Sequence, residues 1–300
     1  MTSGCPGDLV ILTVMMRFLV VVLFAAAAFG QTSHPLVLAH RGGKLLRPEN
    51  TLTAFRYAAA IGADVIELDA VVTSDDRLVV NHDTSINQHN CFIPGEAASG
   101  ARQFIRTLSF AATQRFDCGS RRPEGFAYWQ PAPEARIPAL EHVFDEFRGK
   151  PIQLLLETKM APDGSGGFTP PDHFARLLHK AIVEHGIKDQ IIVQSGDYRT
   201  LTELRKLDPG IRVCQLSLWR RTEDWVQAAK EFGGSHQLVS NTALTAEAVR
   251  ELQAAGITVF SGTANDTVEW KRLLRLGLDG ILTDDPYHLS QYLKSMGRRR

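Results

Sequence analysis

The sequence predicts an α/β protein, specifically a TIM (β/α)8 barrel, and three observations lead to this prediction. After residue 34, short apolar runs alternate about eight times with segments of helical spacing, which is the number of units in a closed barrel. The runs are apolar almost throughout, as parallel strands buried on both faces are. Charged residues stand at the ends of the first runs, where barrel enzymes place their active sites. An open, doubly wound sheet shows the same alternation, so the periodicity by itself does not decide between the two folds.

Each strand is predicted from a short apolar run that is bounded by turn residues. In chain order the runs of the barrel are Leu36–Ala39, Asp64–Leu68, Ile152–Leu156, Gln190–Val193, Ile211–Leu216, Gln237–Val239, Thr258–Phe260 and Gly280–Leu282. A short extra strand, Leu78–Asn81, follows the turn at Ser74-Asp75-Asp76.

Each helix is predicted from apolar residues that recur every three or four positions. The predicted helices are Glu49–Ile61, Ala139–Phe147, Pro171–His185, Tyr198–Leu207, Thr222–Phe232, Ala246–Ala255, Thr267–Leu276 and Tyr287–Met296. Asn50 is predicted as the N-cap of the first helix and is expected to tie the loop that bears Arg41. Residues 84–138 lack any such rhythm, so we predict a long insertion after the second strand.

The first 31 residues are predicted to be a signal peptide. Arg17 precedes the apolar run Phe18–Ala28, and Ala28-Phe29-Gly30 supplies small residues for cleavage. Leu9–Met16 is apolar too, but Arg17 inside a membrane span would be costly, so a start of translation just before Arg17 is the simpler interpretation. A retained anchor is the alternative. In either case residues 32–300 are expected to form an exported domain, periplasmic or secreted, with no stable membrane span after cleavage.

Charge and cysteine content narrow the partners and the compartment. The chain has 33 basic and 33 acidic residues, and this zero net charge predicts no nucleic-acid partner. Cys91 and Cys118 both fall in the long insertion, and an exported protein can oxidise them, so we predict that they form a disulfide. Cys214 lies within an apolar run and is predicted to be a buried free thiol.

Two pairs of charged residues at strand ends predict a metal site. Glu67 and Asp69 lie two residues apart, so their side chains share a face and repel each other unless a cation lies between them. Glu157 and Lys159 have the same spacing after the third barrel strand. Oxygen ligands favour Mg²⁺ or Ca²⁺ over zinc, so we predict one divalent cation, Ca²⁺ or Mg²⁺. An acidic pair by itself is often only a salt bridge, and the prediction depends on all these strand ends meeting at one rim.

Two further motifs stand at strand ends, His40-Arg41-Gly42 and His82-Asp83. A histidine, an arginine and paired carboxylates in such positions can hold a phosphate together with a hard metal ion, which predicts phosphodiester chemistry. Taken singly, a histidine is more often structural, and His82-Asp83 has the composition of a turn.

These motifs resemble those of the glycerophosphodiester phosphodiesterase family. The similar segments span nearly the whole mature chain and occur in the family's order. They are LVLAHRGG at Leu36–Gly43, Pro48-Glu49-Asn50-Thr51, Gly62–Asp69, Leu78–Asp83, Leu156-Glu157-Thr158-Lys159, Gln194-Ser195 and GLDGILTDDP at Gly277–Pro286.

The resemblance implies a barrel enzyme that hydrolyses glycerophosphodiesters to sn-glycerol 3-phosphate and an alcohol. The implied site residues form three sets: the acid–base pair His40 and His82, the phosphate-binding pair Arg41 and Lys159, and the metal ligands Glu67, Asp69 and Glu157. These residue types suit these roles, because imidazole moves protons near neutral pH and guanidinium can bind two phosphate oxygens at once. The sequence does not fix which histidine is the acid and which is the base.

The chain departs from the family pattern at two positions on the expected pocket wall. Gly196 stands where relatives commonly carry an aromatic residue, and Gly262 where they commonly carry a tryptophan. We therefore hypothesise a wider mouth that admits an alcohol larger than choline or ethanolamine. Alternatively, aromatic residues of the insertion refill the gap; the candidates are Phe126, Tyr128 and Trp129. The insertion itself is expected to be either a specificity lid or a disulfide-stapled surface segment.

The leading interpretation is thus an exported, metal-dependent phosphodiesterase that acts on a small-molecule glycerophosphodiester. A related alternative is a lysophospholipase D, or a phospholipase C-like barrel, that acts on lipids. A third is a binding protein that captures phosphodiesters without cleaving them. Pure binding requires no proton carriers, so the presence of both His40 and His82 favours an enzyme.

Overall fold

The computed structural model describes residues 34–97, 100–217 and 222–299. Contacts divide the chain into Met1–Gly30 and Gln31–Arg300, and all described residues belong to the second unit. The predicted signal peptide, residues 1–31, therefore lies outside the described residues. Within the described ranges, no helix is both long enough and apolar enough to cross a membrane.

Eight parallel strands of the described chain close into a barrel. In chain order the strands are β1 (Leu36–Ala39), β2 (Val65–Val72), β3 (Leu78–Val80), β4 (Gln153–Thr158), β5 (Ile191–Ser195), β6 (Val213–Ser217), β7 (His236–Ser240), β8 (Thr258–Gly262) and β9 (Gly280–Thr283). β1 pairs with both β2 and β9, and the antiparallel strand β3 pairs with the end of β2. The predicted (β/α)8 barrel is confirmed. The doubly wound alternative is wrong. The parallel strands at the two edges of an open sheet do not pair with each other, whereas here β1 pairs with β2 as well as with β9.

Helices connect the parallel strands and cover the barrel. They are α1 (Leu52–Ala60), α2 (Phe110–Thr113), α3 (Leu140–Phe147), α4 (Pro171–Glu184), α5 (Tyr198–Leu207), α6 (Thr222–Phe232), α7 (Ala246–Ala254), α8 (Thr267–Leu276) and α9 (Pro286–Ser295). Buried side chains on their inner faces, such as Phe55, Phe144 and Phe174, pack against the strands. The predicted bounds of α5, α6 and α8 are confirmed, and those of α1, α3, α4, α7 and α9 differ by one to three residues at their ends. The short helix α2 lies in the insertion and was not predicted.

The start of α1 differs from the prediction. Thr51 is the N-cap, because its hydroxyl accepts a hydrogen bond from the N–H of Ala54 at 3.2 Å. Asn50 has a φ of 56°, in the left-handed region, and its side chain donates to Asp69 at 2.7 Å. The N-cap prediction for Asn50 is therefore wrong. Its expected tie to the arginine loop is confirmed, since its backbone N–H donates to the carbonyl of Arg41 at 3.0 Å.

Strand β2 is longer than its apolar run in the sequence. The prediction ended it at Leu68, whereas the strand continues to Val72 with every residue buried. Glu67 and Asp69 interrupt the hydrophobic pattern, although both are only 1% exposed. A strand that carries buried carboxylates into the barrel thus looks shorter in sequence than it is.

One residue from each parallel strand fills the centre of the barrel. This interior layer consists of Leu38, Val65, Leu155, Ile192, Cys214, Leu238, Phe260 and Leu282. Burying a large apolar side chain contributes about 1.5–3 kcal/mol, so the layer is a substantial part of the core. Cys214 is a buried free thiol, as predicted.

The insertion, residues 84–138, builds a small core of its own against β2 and β3. Val71 and Val79 pack there with Ile105, Phe116 and Ile137. The predicted disulfide between Cys91 and Cys118 is confirmed, and it belongs to the same cluster.

Candidate active site

A cavity of about 590 Å³ opens at the carboxyl ends of the parallel strands. Its walls continue the interior layer, because residues two apart on a strand share a face. His40, Glu67 and Glu157 each follow a residue of that layer by two positions. The opposite wall obeys the same rule, with Gln194, Leu216, Ser240 and Gly262. The period of the strands therefore brings residues from the whole chain to one rim.

Three carboxylates form a cluster that is compatible with a divalent metal site. Oxygen atoms of Glu67, Asp69 and Glu157 all lie within 4.8 Å of one another. Burial and the neighbouring charges of Asp69 and Glu157 raise the pKa of Glu67 well above its ordinary value. Such crowding of buried acids is relieved by a cation.

The residues present fit such a cation. Asp69 Oδ1 is buried and accepts no hydrogen bond from the described residues, although the ammonium of Lys159 lies 3.2 Å away. Burial acts to raise the pKa of Asp69, but Lys159 and Arg41 outweigh it and hold that pKa below its ordinary value, so Asp69 is ionised. An all-oxygen donor set with a free, charged oxygen suits a hard cation.

The two predicted phosphate ligands border the carboxylate cluster. Lys159 Nζ lies 2.7 Å from Glu157 Oε1. Burial acts to lower the pKa of Lys159, but Asp69 and Glu157 raise it further than burial lowers it, so the ammonium remains charged. Arg41 reaches the cavity from the loop after β1 and hydrogen-bonds Glu49 through Nη1 at 3.2 and 3.3 Å.

The backbone of the arginine loop is shaped to present Arg41. Arg41 itself has a φ of 51°, and its N–H donates to Glu67 Oε2 at 2.8 Å. Gly42 follows with a φ of 80°, and a Cβ atom there would lie 2.7 Å from the Cβ of Ala54. Only glycine fits that tight turn against α1. The His-Arg-Gly motif thus determines the backbone conformation of the loop as well as supplying two side chains to the site.

Both predicted catalytic histidines line the cavity, and each is held through Nδ1 by an aspartate. His40 Nδ1 lies 2.5 Å from Asp284 Oδ1, and His82 Nδ1 lies 2.8 Å from Asp83 Oδ1. This leaves Nε2 as the nitrogen that each ring offers to a ligand. Burial lowers the pKa of His40, although Asp284 acts to raise it. Neutral imidazole at His40 can accept a proton.

The wall opposite the acids carries the two glycines that depart from the family pattern. A Cβ atom on Gly196 would meet none of the described residues within 4 Å, whereas one on Gly262 would lie 2.3 Å from the carbonyl oxygen of Leu282. Only position 196 therefore has room for a side chain.

The insertion does not fill the space beside Gly196. Trp129 is 2% exposed and shares a separate small cavity with Phe126, while Tyr128 is 71% exposed and contacts the ring of His288. None of these three aromatic residues lines the 590 Å³ cavity, and neither does any other described residue of 84–97 or 100–138. The alternative that the insertion refills the gap is therefore not supported.

The structure brings all the predicted site residues together. Six of them line the cavity, and Asp69 lies beneath it in contact with Arg41, Lys159 and Asn50. Asp284 was not among the predicted site residues. The signal for it was its place after the last strand, since a closed barrel pairs that strand with β1 and puts its end beside His40. Gln194, which donates to Glu67 at 3.0 Å, was also missed.

Comparisons with known proteins give a consistent result. The model of the glycerophosphoryl diester phosphodiesterase family matches residues 40–288. A glycerophosphodiester phosphodiesterase of Caldanaerobacter subterraneus subsp. tengcongensis is 30% identical over 87% of this chain and 99% of its own. A lysophospholipase D of Rattus norvegicus is 25% identical over 86% of each chain. The structure of an Oleispira antarctica phosphodiesterase in complex with the product sn-glycerol-3-phosphate superposes with a TM-score of 0.72 at 21% identity, over 87% of this chain and 97% of that one.

Proposed function

Because the chain belongs to the glycerophosphoryl diester phosphodiesterase family, we propose that it hydrolyses glycerophosphodiesters with one divalent cation and two histidines, and that it releases sn-glycerol 3-phosphate and an alcohol. One observation carries this proposal. Both imidazoles, the cationic side chains of Arg41 and Lys159, and two members of the carboxylate cluster border a single cavity, and Asp69 completes the cluster beneath it. The Oleispira antarctica relative binds the product sn-glycerol-3-phosphate, which supports cleavage of the bond between phosphorus and the alcohol oxygen, so that the phosphate stays on glycerol.

Glu67, Asp69 and Glu157 would hold the cation, Ca²⁺ or Mg²⁺. When bound, it supplies positive charge that polarises the phosphoryl oxygens. Arg41 and Lys159 add two fixed charges on the same side of the cavity, and Arg41 can donate two hydrogen bonds to one phosphate. Together these groups would hold the phosphate between the two imidazoles.

The two histidines divide the proton transfers. His40, neutral because of its burial, accepts a proton from the glycerol hydroxyl beside the ester as that oxygen bonds to phosphorus. His82 gives a proton to the leaving alcohol oxygen as its bond to phosphorus breaks. In the second half, water attacks the cyclic phosphate and gives a proton to His82, while His40 returns its proton to the glycerol oxygen. Each histidine thus ends in the state in which it began.

The test is a hydrolysis assay on glycerophosphocholine, followed by ³¹P NMR. We expect sn-glycerol 3-phosphate and choline, loss of turnover in EDTA, and recovery on adding Ca²⁺ or Mg²⁺. Glu67→Gln should require a higher cation concentration for half-maximal rate, whereas Asp76→Asn, an acid outside the cavity, should not. Full turnover in EDTA would remove the metal from the proposal, and binding without turnover would favour a non-catalytic protein.

A second candidate substrate class is favoured by the space at Gly196. No atom of the described residues lies within 4 Å of the position that a Cβ atom would occupy at residue 196, so the cavity has room for a substrate bulkier than glycerophosphocholine, such as one with an acyl chain on its glycerol moiety. One relative of the chain is a lysophospholipase D. We propose that lysophospholipids are accepted in addition to small glycerophosphodiesters.

Filling that space tests the second candidate. Gly196→Phe should lower kcat/KM for lysophosphatidylcholine relative to glycerophosphocholine by about tenfold or more. Gly196→Ala, whose methyl group meets none of the described side chains, is the matched control and should leave the ratio near that of the parent. If the parent protein does not hydrolyse lysophosphatidylcholine, the proposal that it accepts lysophospholipids is wrong.

Export remains part of the proposal. The disulfide Cys91–Cys118 supports it, because disulfides persist mainly in oxidising compartments. The check is fractionation of producing cells, with the N-terminal residue of the mature chain determined. A chain recovered in the cytosol with residues 1–31 intact would contradict it.

A further inference from the structure

The buried carboxylate of Asp284 connects the first and last strands of the barrel at the active site. Asp284 follows β9, and its Oδ1 lies 2.5 Å from Nδ1 of His40, which follows β1. The register of the two strands places Ala39 opposite Thr283, so the next residues along each strand are neighbours. Asp284 is 6% exposed. A charge this well buried is kept only where it has partners.

Asn265, in the loop after β8, holds the other oxygen of that carboxylate. Its Nδ2 donates to Asp284 Oδ2 at 2.8 Å. Its Oδ1 accepts the backbone N–H of Asp284, also at 2.8 Å, which fixes the orientation of the amide. Both oxygens of the carboxylate are therefore hydrogen-bonded, one to the imidazole of His40 and the other to the amide of Asn265.

The loop that carries Asn265 is itself fixed. Glu269, in the first turn of α8, accepts the backbone N–H of Asn265 at 2.8 Å. Asp266 caps the same helix by accepting from the N–H groups of Val268 and Glu269. A rigid helix start thus sets the position of the amide, and the amide sets the position of the carboxylate.

We propose that Asp284 and Asn265 are positioning residues that lock His40 in the tautomer with its proton on Nδ1, so that Nε2 presents a free lone pair to the substrate. Since Asp284 accepts only, the nitrogen that faces it must carry the proton. His82 is paired with Asp83, the next residue in the chain, rather than with a distant carboxylate that an amide holds in place. The inference rests on the proposed function, because it assigns a way of orienting the histidine that is proposed as the base.

The charged groups that face His40 from the surrounding elements are Asp284, Arg41 and Lys44. Lys44 Nζ lies 3.6 Å from Asp284 Oδ1, so the carboxylate is shared between the ammonium and the imidazole. Asp284 is the one group of the three that favours protonated His40. Removing its charge should lower the pKa of His40 and free the ring to adopt the other tautomer.

The test compares the full-length parent with Asp284→Asn and Asn265→Ala. We expect Asp284→Asn to lower kcat for glycerophosphocholine by about 10²- to 10⁴-fold, as when the wrong tautomer is held, with a much smaller change in KM. Asn265→Ala should lower kcat by about tenfold, because the carboxylate loses the hydrogen bond that orients its Oδ2 while its bond to His40 remains. The acidic limb of the kcat profile should move to lower pH in Asp284→Asn, and Asp284→Glu should recover part of the rate.

A spectroscopic readout keeps the test independent of turnover. In ¹⁵N-histidine-labelled protein, the His40 signals, identified by their loss in His40→Gln, should show a single tautomer with the proton on Nδ1. Asp284→Asn should shift these signals predominantly to the tautomer with the proton on Nε2, because Asn265 donates to the amide oxygen and the NH2 group then faces Nδ1 of His40. Asp285→Asn is the matched control, since Asp285 caps α9 and contacts His288 rather than His40. It should change neither kcat nor the His40 signals.

Two results would overturn the inference. One is an active parent whose Asp284→Asn variant keeps kcat within a few-fold while remaining folded by circular dichroism. The other is a His40 tautomer that is the same in both proteins. Failure of the proposed function would look different, because the parent itself would then not release sn-glycerol 3-phosphate.

Discussion

The two histidines at the cavity are held in opposite ways. His40 and Asp284 have side chains that are 14% and 8% exposed, whereas those of His82 and Asp83 are 32% and 46% exposed. The partner of His40 is 244 residues away along the chain, and the partner of His82 is the adjacent residue. His40 is thus oriented by the closure of the barrel, and His82 by a local turn at the entrance to the insertion.

This difference predicts which parts of the fold each histidine depends on. The His40 pair joins β1 to β9, so it exists only when the whole barrel has formed. The His82 pair needs only the turn after β3, which Asn81 stabilises by donating to the carbonyl of Asp83 at 2.6 Å. The contrast suggests a rigid base set deep in the barrel and a more accessible acid at the entrance, where the leaving alcohol departs.

The largest expected effect comes from removing either imidazole. His40→Ala and His82→Ala should each lower kcat by about 10²- to 10⁴-fold, because each proton transfer loses its carrier. The double variant should be about as slow as the worse single variant, since residues that act as a unit are not additive. His173→Ala, which removes a histidine paired with Asp76 away from the cavity, is the control and should keep full activity. If the losses in the double variant were additive, the two histidines would act independently and not as one acid–base pair.

The next effect tests the comparison itself. Asp83→Asn removes an exposed partner whose hydrogen bond water can replace, so we expect kcat to fall by about tenfold or less. That loss is much smaller than the one expected for Asp284→Asn. Equal losses in the two aspartate variants would show that the depth of burial does not distinguish the two pairs.

A smaller effect on catalysis, but a clear one on stability, is expected from the disulfide. Cys91 and Cys118 border a small cavity together with His82, and they close a loop with a sequence separation of 27. The double substitution to serine should cost about 3.5 kcal/mol, chiefly through the freer unfolded chain. Amide hydrogen exchange should speed up within 84–138 and leave β1 and β9 unchanged. Equal acceleration in β1 and β9 would mean that the insertion and the barrel unfold as one unit.

The smallest effect on activity is expected at a third histidine, which pairs with no carboxylate of the described residues. His236 contacts Ser235 and the ring of Phe260, and its burial lowers its pKa to about 4. A pKa that lies below the ordinary 6.5 in the folded state means that stability is complete above pH 6.5 and falls as the pH drops towards 4. This loss amounts to up to about 3 kcal/mol.

The check is urea unfolding at pH 7 and at pH 4.5. The parent should lose more stability between the two pH values than His236→Gln, while both proteins keep the same kcat at pH 7. If both proteins lost the same amount, His236 would not be a source of acid sensitivity.

Much of the site could be predicted because strand periodicity is local information. Glu67 and Asp69 lie two residues apart, as do Glu157 and Lys159, and that spacing alone puts each pair on one face. Asp284 could not be assigned in this way, since its partnership with His40 depends on the register in which β9 meets β1. Local motifs reveal which residues share a strand face, and only tertiary pairing reveals which strands are neighbours.

The pocket wall shows the same limit in another form. The resemblance to the family marked both Gly196 and Gly262 as departures from its pattern, yet only the distance to Leu282 shows that position 262 has no room for a side chain. The insertion could not be predicted beyond its disulfide, because its small core depends on long-range contacts with β2 and β3 rather than on a repeating pattern.

The most direct test of the central claim is a crystal structure of the protein with sn-glycerol 3-phosphate and a divalent cation. We predict one cation bound by Glu67, Asp69 and Glu157, with the phosphate between the imidazoles of His40 and His82. A cation bound elsewhere, or a phosphate that only one of the two imidazoles can reach, would contradict the account.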